Sequence, residues 1–138
     1  MSAVEDILKN SRTVAVVGLS PDPGRPSHIV AAYLKENGYD IIPINPLEKE
    51  ILGEKSYPDV TSIPVRVDVI DIFRHPEEVL PIVREAMNKG IKAVWMQEGI
   101  TNRKAAAEAR KAGLKVVMNR CMRKEHIKLK LRGGPDSP

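Results

Sequence analysis

The chain has 138 residues, 42% hydrophobic and 29% charged, and is long enough to bury a core without disulfides or metals. The net charge of +4 arises in residues 119–138, which carry six basic and two acidic groups, whereas residues 1–118 carry 16 of each. Because the excess of basic charge is confined to this segment and the chain has only five aromatic residues, we do not expect a nucleic-acid partner. One cysteine, no signal peptide and no apolar run near the roughly 20 residues of a membrane span indicate a cytoplasmic protein without a membrane partner.

Strands and helices alternate along the predicted chain, beginning with a short helix capped by Ser2. The elements predicted after it are the strands Thr13–Val17, Asp40–Ile44, Asp68–Phe73, Ile91–Met96 and Leu114–Met118 and the helices Ser27–Asn37, Pro76–Lys89, Asn102–Gly113 and Cys121–Leu131. Residues 47–66 lack periodicity, and Ile51-Leu52 or Ser56-Tyr57 could form a short edge strand or turn. The buried face predicted for the second helix consists of Ile29, Val30, Tyr33 and Leu34.

This order predicts an α/β fold, a doubly wound and mainly parallel five-stranded sheet with helices on both faces. We expect one domain over residues 1–132 and a flexible end at 133–138. Right-handed crossovers place the carboxyl ends of all parallel strands along one edge, where ligands of such sheets bind. The residues predicted at that edge follow the five strands: Gly18-Leu19-Ser20, Asn45-Pro46, Phe73-Arg74-His75, Gln97-Glu98-Gly99 and Asn119-Arg120-Cys121.

The loop after the first strand is typical of a phosphate site. The apolar strand stops at Gly18, and an irregular loop leads to the helix that is predicted to start at Ser27. At such a helix start, unpaired N–H groups and the positive end of the helix dipole point outward together. Gly18 would allow close backbone approach, Ser20 and Ser27 offer hydroxyls, and Arg25 could bind phosphate oxygens. The alternative is that Arg25 is a solvated loop residue and Ser27 only a helix cap.

The later loops offer further candidates. Phe73 could cover an adenine or belong to the core, and Arg74 could reach a phosphate, whereas His75 fits a helix start better than a catalytic role. Gln97 and Glu98 could hydrogen-bond amide groups of a ligand.

Other residues of these segments have structural interpretations. Trp95 is expected in the core, Asp68 or Asp71 should have a partner near an end of the sheet, and the three histidines, His28, His75 and His126, lack metal-ligand spacing.

Several nucleotide-binding motifs are absent. A G-x-G-x-x-G loop would need glycine at 20 and 23, where the chain has Ser20 and Pro23, and Asn45 replaces the acidic residue that NAD binders place after the second strand. This counts against NAD and leaves an NADP-binding oxidoreductase open. No P-loop and no catalytic set is present. Cys121, at the start of a basic helix, is the one candidate reactive thiol.

Five segments, taken together, resemble the small stand-alone CoA-binding proteins, which are similar to the CoA-binding domain of the succinyl-CoA synthetase α-subunit. They are VAVVGLSPDPGRPSHIVAAYLKENGYDIIPINP, ILGEKSYPDVTSIP, VDVIDIFRHPEEV, VWMQEGITN and VVMNRCM, and the resemblance covers about residues 10–127. It implies a Rossmann-like fold that binds coenzyme A along the carboxyl edge of the sheet. The residues implied are Gly18, Leu19, Ser20, Arg25, Pro26 and Ser27 for the phosphates, Asn45 and Pro46 at the nucleotide end, Phe73 and Arg74 at the adenine or phosphate side, and Gln97 and Gly99 along the pantetheine path.

The chain lacks the synthetase's second domain with its phosphorylated histidine, so we do not expect a complete thiokinase reaction. The resemblance therefore indicates a protein that binds CoA or acyl-CoA as a carrier, sensor or regulatory subunit. A protein partner or a homo-oligomer fits this interpretation. The alternatives are an NADP-binding oxidoreductase and a CoA-thiol redox protein that uses Cys121.

Overall fold

The computed structural model describes residues 2–133, which form five helices and seven strands. The predicted flexible end lies outside the described residues from position 134 onward. The element bounds are α1 (Ala3–Asn10), β1 (Thr13–Val17), α2 (Pro26–Glu36), β2 (Asp40–Ile44), β3 (Glu50–Ile51), β4 (Glu54–Lys55), β5 (Val69–Ile72), α3 (Pro76–Asn88), β6 (Ala93–Met96), α4 (Arg103–Lys111), β7 (Lys115–Val117) and α5 (Met122–Gly133).

Five strands form one parallel sheet in the order β2-β1-β5-β6-β7, which confirms the predicted doubly wound α/β fold. Strand β1 pairs with β2 on one side and with β5 on the other, in registers that run from Thr13↔Asp40 to Val17↔Ile44 and from Val14↔Val69 to Val17↔Ile72. From β1 the chain first builds the sheet in one direction and then in the other. The strand order therefore reverses between β1 and β5, and the carboxyl ends of these two strands border the crevice where such sheets bind ligands.

The sheet is covered on both faces, which explains why the buried residues of its strands are apolar on both faces rather than alternating, with Asp71 of β5 as an exception. Val14 and Val16 of β1 face a core formed with α1, α2 and α5, which we call the α2 face. Ala15 and Val17 face the opposite core, formed with α3 and α4, which we call the α3 face. Trp95 is fully buried on the α2 face, as predicted.

The aperiodic segment between β2 and β5 contains a small hairpin. Ile51 of β3 pairs with Glu54 of β4 around a turn in which Leu52 and Gly53 both have positive φ, 56° and 73°. Tyr57 forms an isolated bridge to Ile44, so the edge structure predicted for this segment exists in two pieces. The Tyr57 N–H donates to the Pro43 carbonyl at 3.0 Å, which ties this segment to the edge of the sheet beside β2.

Helix α2 differs from its prediction at two points. It begins at Pro26 with Arg25 as the N-cap, one residue before the predicted start at Ser27. Ile29, predicted on the buried face, is 45% exposed, while Val30, Ala31 and Leu34 are buried. Proline at the first helical position explains the earlier start, because its φ is already helical and its missing N–H would be unpaired there. None of the helices within residues 2–133 is long and apolar enough to cross a membrane.

Candidate ligand-binding site

Two clefts open at the carboxyl edge of the sheet, one on each face. The α2-side cleft has a volume of about 590 Å³ and lies above β1, β5 and β6. It is lined by Gly18, Arg25, Pro26, Ser27, Val30, Phe73, Arg74, His75, Pro76, Gln97, Glu98, Gly99, Ile100 and Cys121. The α3-side cleft, of about 510 Å³, is lined by Val17, Gly18, Ile44, Asn45, Pro46, Leu47, Pro58, Asp59, Val60, Arg74, Ile82 and Glu85. Gly18 and Arg74 line both clefts, so the two meet where the strand order reverses.

Most of the predicted site residues lie together in these clefts. Those in the α2-side cleft are Gly18, Arg25, Pro26, Ser27, Phe73, Arg74, Gln97 and Gly99. Asn45 and Pro46 line the α3-side cleft. Leu19 and Ser20 line neither: the Leu19 side chain is fully buried in the core, so this residue could offer a ligand only its backbone. The part of a ligand that each residue would contact stays a prediction.

Position 18 must be a glycine because of its own backbone conformation and of the neighbouring backbone at Phe73. Its φ is +88°, and a Cβ atom at this position would lie 2.4 Å from the Phe73 carbonyl oxygen and 3.0 Å from Arg74 Cδ. Side chains are strained at this φ and would also collide with the chain that leaves β5. Glycine at this position therefore lets the loops after β1 and β5 come into contact, whereas its predicted close approach to a phosphate stays a prediction.

The loop after β1 is fixed by hydrogen bonds among its own residues. The Ser20 N–H donates to Ser27 Oγ at 2.9 Å, and the Asp22 N–H donates to Ser20 Oγ at 3.1 Å. The His28 Nδ1 lies 2.8 Å from the Ser20 carbonyl oxygen; since a carbonyl only accepts, Nδ1 carries the proton. Ser27 is thus buried inside the first turn of α2 and holds the loop, rather than capping the helix.

The N-terminus of α2 is left without a capping side chain. Arg25, its N-cap residue, makes no side-chain capping bond, and the first turn contains no acidic residue, unlike the first turns of α1 and α3. Within residues 2–133 the Ser27 N–H has no acceptor, and the exposed Arg25 guanidinium has no ion pair or hydrogen bond. A helix dipole, a free N–H and an unpaired guanidinium coincide here, and this combination favours an anion.

Arg74 lies between the two clefts and is held by Glu78. Its Nη2 donates to Glu78 Oε1 at 2.6 Å, and this bond holds the pKa of the Glu78 carboxyl below its usual value. The His75 N–H donates to the other oxygen of Glu78 at 3.2 Å, which confirms His75 as a helix-start residue. Because both partners of the ion pair are exposed and screened by water, Arg74 can exchange Glu78 for a ligand group.

Two side chains on the floor of the α2-side cleft have structural partners. Phe73 is half-buried against the core of the α2 face and also lines the cleft, and its contact with an adenine stays a prediction. Gln97 is 3% exposed, and its Nε2 donates to Asp71 Oδ1 at 2.6 Å. Burial raises the pKa of Asp71 to about 7, against the lowering effect of the Gln97 hydrogen bond. The expected partner of an acidic residue in this strand is therefore found.

Asn45 and Asn119 act on the backbone. Asn45 Nδ2 donates to the Leu19 carbonyl at 3.0 Å, and its Oδ1 accepts from the Leu47 N–H at 2.9 Å, so its amide joins the loops after β1 and β2. Asn119 has a φ of 58°, and its Oδ1 accepts the Gly99 N–H at 2.7 Å. Sequence reasoning placed Asn119 at this edge without assigning it a role. The signal was an asparagine directly after a strand, a residue type that tolerates positive φ.

Part of the wall of the α3-side cleft was not predicted. Pro58 and Val60 come from the aperiodic segment, and Ile82 and Glu85 come from α3. None of these four residues directly follows a strand of the sheet, so the rule that ligands bind beyond the strand ends could not identify them. Cys121, a free thiol of intermediate exposure, lines the α2-side cleft one residue before α5. Among residues 2–133, no three His, Cys, Asp or Glu side chains are grouped to hold a metal ion.

Comparison with known proteins gives consistent matches. A family model described as a CoA binding domain matches residues 12–127. The uncharacterized protein YneT of Bacillus subtilis is 33% identical over 123 residues, covering 89% of this chain and 91% of that protein. Subunit alpha of acetate–CoA ligase (ADP-forming) II from Pyrococcus furiosus is 32% identical over 128 residues, but this chain covers only 28% of it. The structure of a hypothetical protein from Pyrococcus horikoshii OT3 superposes with a TM-score of 0.89 at 43% identity, over 94% of this chain and 92% of that one.

Proposed function

This chain belongs to the CoA-binding domain family, and on that premise we propose that it binds coenzyme A or an acyl-CoA across the carboxyl edge of its sheet. Coenzyme A combines a pyrophosphate, a 3′-phosphate, an adenine and a pantetheine arm with amide groups and a terminal thiol. A ligand of this kind needs an anion site with flat apolar and amide-binding surfaces on either side. The two connected clefts contain such surfaces.

The observation that carries the proposal is the uncapped N-terminus of α2 beside the unpaired Arg25 guanidinium. Both features favour the charge of a phosphate, and both lie in a cleft of sufficient size. Arg74, at the junction of the clefts, can leave its exposed partner Glu78 for a second phosphate oxygen.

The surfaces beside the anion site fit the rest of the ligand. Pro46, Val60 and Ile82 give the α3-side cleft apolar walls suited to a base. In the α2-side cleft, Gln97 and Gly99 lie along a path suited to the pantetheine arm, which would run toward Cys121. Asn45 would border the nucleotide by holding the two loops together rather than by offering a free amide.

The proposal assigns binding and no chemical step. The P. furiosus relative is named as a ligase subunit, and this chain spans 28% of its length, so the ligase activity is not transferred to it. We propose a role as carrier, sensor or regulatory subunit, with a protein partner, because such a role requires ligand binding and no chemical step. The family match does not favour the alternatives of an NADP-dependent oxidoreductase or a redox protein using Cys121.

Titration calorimetry with CoA, acetyl-CoA, NAD and NADP tests this function. We expect saturable heat from CoA or acetyl-CoA. We expect none from NAD or NADP, because the loop after β1 lacks the dinucleotide glycines; for NAD, Asn45 also offers no carboxylate to the ribose. Tight NADP binding without CoA heat would overturn the proposal. The acetyl-CoA titration shows whether a free thiol is needed.

A further inference from the structure

Asp71 is a buried carboxyl group in the middle of the sheet. It is 0% exposed, and its register neighbours are Val16 on β1 and Trp95 on β6. Its Oδ1 accepts the Gln97 amide, but its Oδ2 has no hydrogen-bond partner in the described chain. Burying a carboxyl group with an unbonded oxygen lowers the free energy of unfolding, so packing does not explain why this position is an aspartate.

Gln97 connects Asp71 to the α2-side cleft. Its backbone is fixed, since its N–H donates to the Ile72 carbonyl at 3.3 Å and its carbonyl accepts from the Ile100 N–H at 2.9 Å. Its amide nitrogen donates to Asp71. Its amide oxygen has no partner within residues 2–133 and is not closed off from solvent, and Gln97 is one of the residues that line the cleft.

This inference rests on the proposed function: we propose that Asp71 is a positioning residue, which turns the Gln97 amide oxygen toward the cleft. There the Gln97 oxygen accepts a hydrogen bond from an amide N–H of the pantetheine arm. An ionised carboxylate only accepts hydrogen bonds, so it must take the NH₂ group of Gln97. The other end of the planar amide is then left for the ligand. Asp71 thereby determines whether the oxygen or the NH₂ group of Gln97 faces the cleft, and it does so without contacting the ligand.

Protonation of Asp71 reverses this arrangement. The protonated carboxyl gains an O–H donor, and the acceptor within reach is the Gln97 amide oxygen. The amide turns over, and its NH₂ group faces the cleft, where it cannot accept an N–H from the ligand. Because burial raises the pKa of Asp71 to about 7, the reversal takes place near neutral pH.

Burial raises the pKa of Asp71, and the group around it that lowers this pKa is the Gln97 amide, through its hydrogen bond. The adjacent strands contribute the apolar Val16 and Trp95. On α2, His28 is bonded to the Ser20 carbonyl, and Tyr33 is bonded to His126 of α5. The titratable or charged groups that line the cleft itself are Arg25, Arg74, His75, Glu98 and Cys121. Of these, Arg74 is paired with Glu78, and Glu98 with Lys124.

The test compares wild type with Asp71→Asn, which keeps the size of the side chain and removes its titration; because its amide can donate as well as accept, it no longer fixes the orientation of the Gln97 amide. Dissociation constants for CoA are measured from pH 5.5 to 8.5, together with those for adenosine 3′,5′-bisphosphate, which lacks the pantetheine arm. At each pH both proteins meet the same ligand, so the titration of the ligand's own phosphates cancels in the ratio of the two constants.

We expect the CoA affinity of wild type to exceed that of Asp71→Asn by about three- to tenfold above pH 7 and to approach it near pH 6, the size of one hydrogen bond. For the bisphosphate the ratio should stay near one at every pH. A CoA ratio that does not change with pH, or an equal change for the bisphosphate, overturns the inference. If wild type binds the bisphosphate and CoA with equal affinity at all pH values, Gln97 makes no hydrogen bond to the pantetheine arm. The inference is then overturned, but the proposed binding of CoA is not. Failure of wild type to bind CoA overturns the proposed function and this inference with it.

A second measurement needs no variant, in case Asp71→Asn does not fold. The side-chain NH₂ of Gln97 is followed by NMR in the wild-type protein with and without CoA. Relative to a free side-chain amide at the same pH, we expect its hydrogens to be more strongly protected from exchange above pH 7, where they are bound to Asp71, than below it. Protection that does not change with pH contradicts the reversal of the amide.

Discussion

The two edges of the same sheet make opposite use of their polar groups. Both edges carry cavities of similar size: one at the amino edge, lined by residues such as Arg12, Lys35 and Arg66, has a volume of about 680 Å³, against about 590 Å³ for the α2-side cleft. At the amino edge, however, the charges are paired. Arg12 Nε lies 3.3 Å from Asp40, Lys35 lies 3.1 Å from Glu54, and Asp68 Oδ2 accepts the N–H groups of Arg12 and Thr13 at 2.8 and 2.9 Å.

At the carboxyl edge, several polar groups lack such partners. Among the described residues, the Arg25 guanidinium, the Ser27 N–H and the amide oxygen of Gln97 are unbonded, and all three residues line one cleft. Cavity volume therefore does not distinguish the binding edge from the other. Polar groups that the fold positions and does not satisfy do distinguish it, because they are what a ligand can bond.

The largest effect is expected from comparing glycines of the two edges. Gly18→Ala places a Cβ atom 2.4 Å from the Phe73 carbonyl oxygen at a φ of +88°, so we expect a loss of roughly 2–5 kcal/mol in the free energy of unfolding. Gly38→Ala, at the amino edge, has a similar φ of +94° but open space around the Cβ position, so about 1–2 kcal/mol should be lost. Urea unfolding measures both variants. Equal losses would show that backbone strain, not contact between the loops, requires Gly18.

The second comparison sets Asp71 against Asp68, three residues apart. The pKa of Asp71 is raised from 3.8 to about 7 in the folded protein, so the folded state binds more protons than the unfolded state between these values. The stabilising contribution of the protonated form is present below pH 4 and is lost as the pH rises toward 7. The slope is at most about 1.4 kcal/mol per pH unit.

Asp71→Asn should remove this loss, so the free energy of unfolding of the variant should exceed that of wild type by about 1–3 kcal/mol above pH 7. Asp68→Asn should act with the opposite sign and cost about 1 kcal/mol, because a charged acceptor of two backbone N–H groups is replaced by a neutral one. Chemical unfolding of both variants at pH 5, 7 and 8.5 makes the comparison. A destabilised Asp71→Asn at pH 8.5 would mean that the ionised form is bonded more fully than the structure shows.

The fold could be predicted almost completely from the sequence, because each strand of the five-stranded sheet consists mainly of apolar residues and each helix has a glycine, proline or cap at its boundary. The errors were local. Ser27 looked like a cap, yet Pro26 starts α2 one residue earlier and Ser27 Oγ is bonded to Ser20. Ile29 fitted the helical spacing and is nonetheless 45% exposed.

The site could be predicted where its residues directly follow strands or lie at the predicted start of the second helix. Phe73, Arg74 and Gln97 were found by the first rule and Arg25 by the second, and all four line the α2-side cleft. The apolar wall of Val60 and Ile82 was missed because an aperiodic segment and a helix meet there only after folding. The partner of Gln97 was equally hidden, since nothing in the sequence shows that Asp71 is the acidic residue whose side chain reaches it.

The central claim is that coenzyme A binds through the unsatisfied groups of the carboxyl edge, and one pair of variants tests it most directly. Arg25→Ala removes the unpaired guanidinium at the N-terminus of α2, and Arg66→Ala removes an exposed guanidinium at the amino edge, where it pairs with Asp68 at 3.7 Å. In calorimetric titrations with CoA, we expect Arg25→Ala to weaken binding by about 1.5–3 kcal/mol, the value of a charge-assisted hydrogen bond, and Arg66→Ala to leave it unchanged. Equal affinities for the two variants, or a loss confined to Arg66→Ala, would contradict the account.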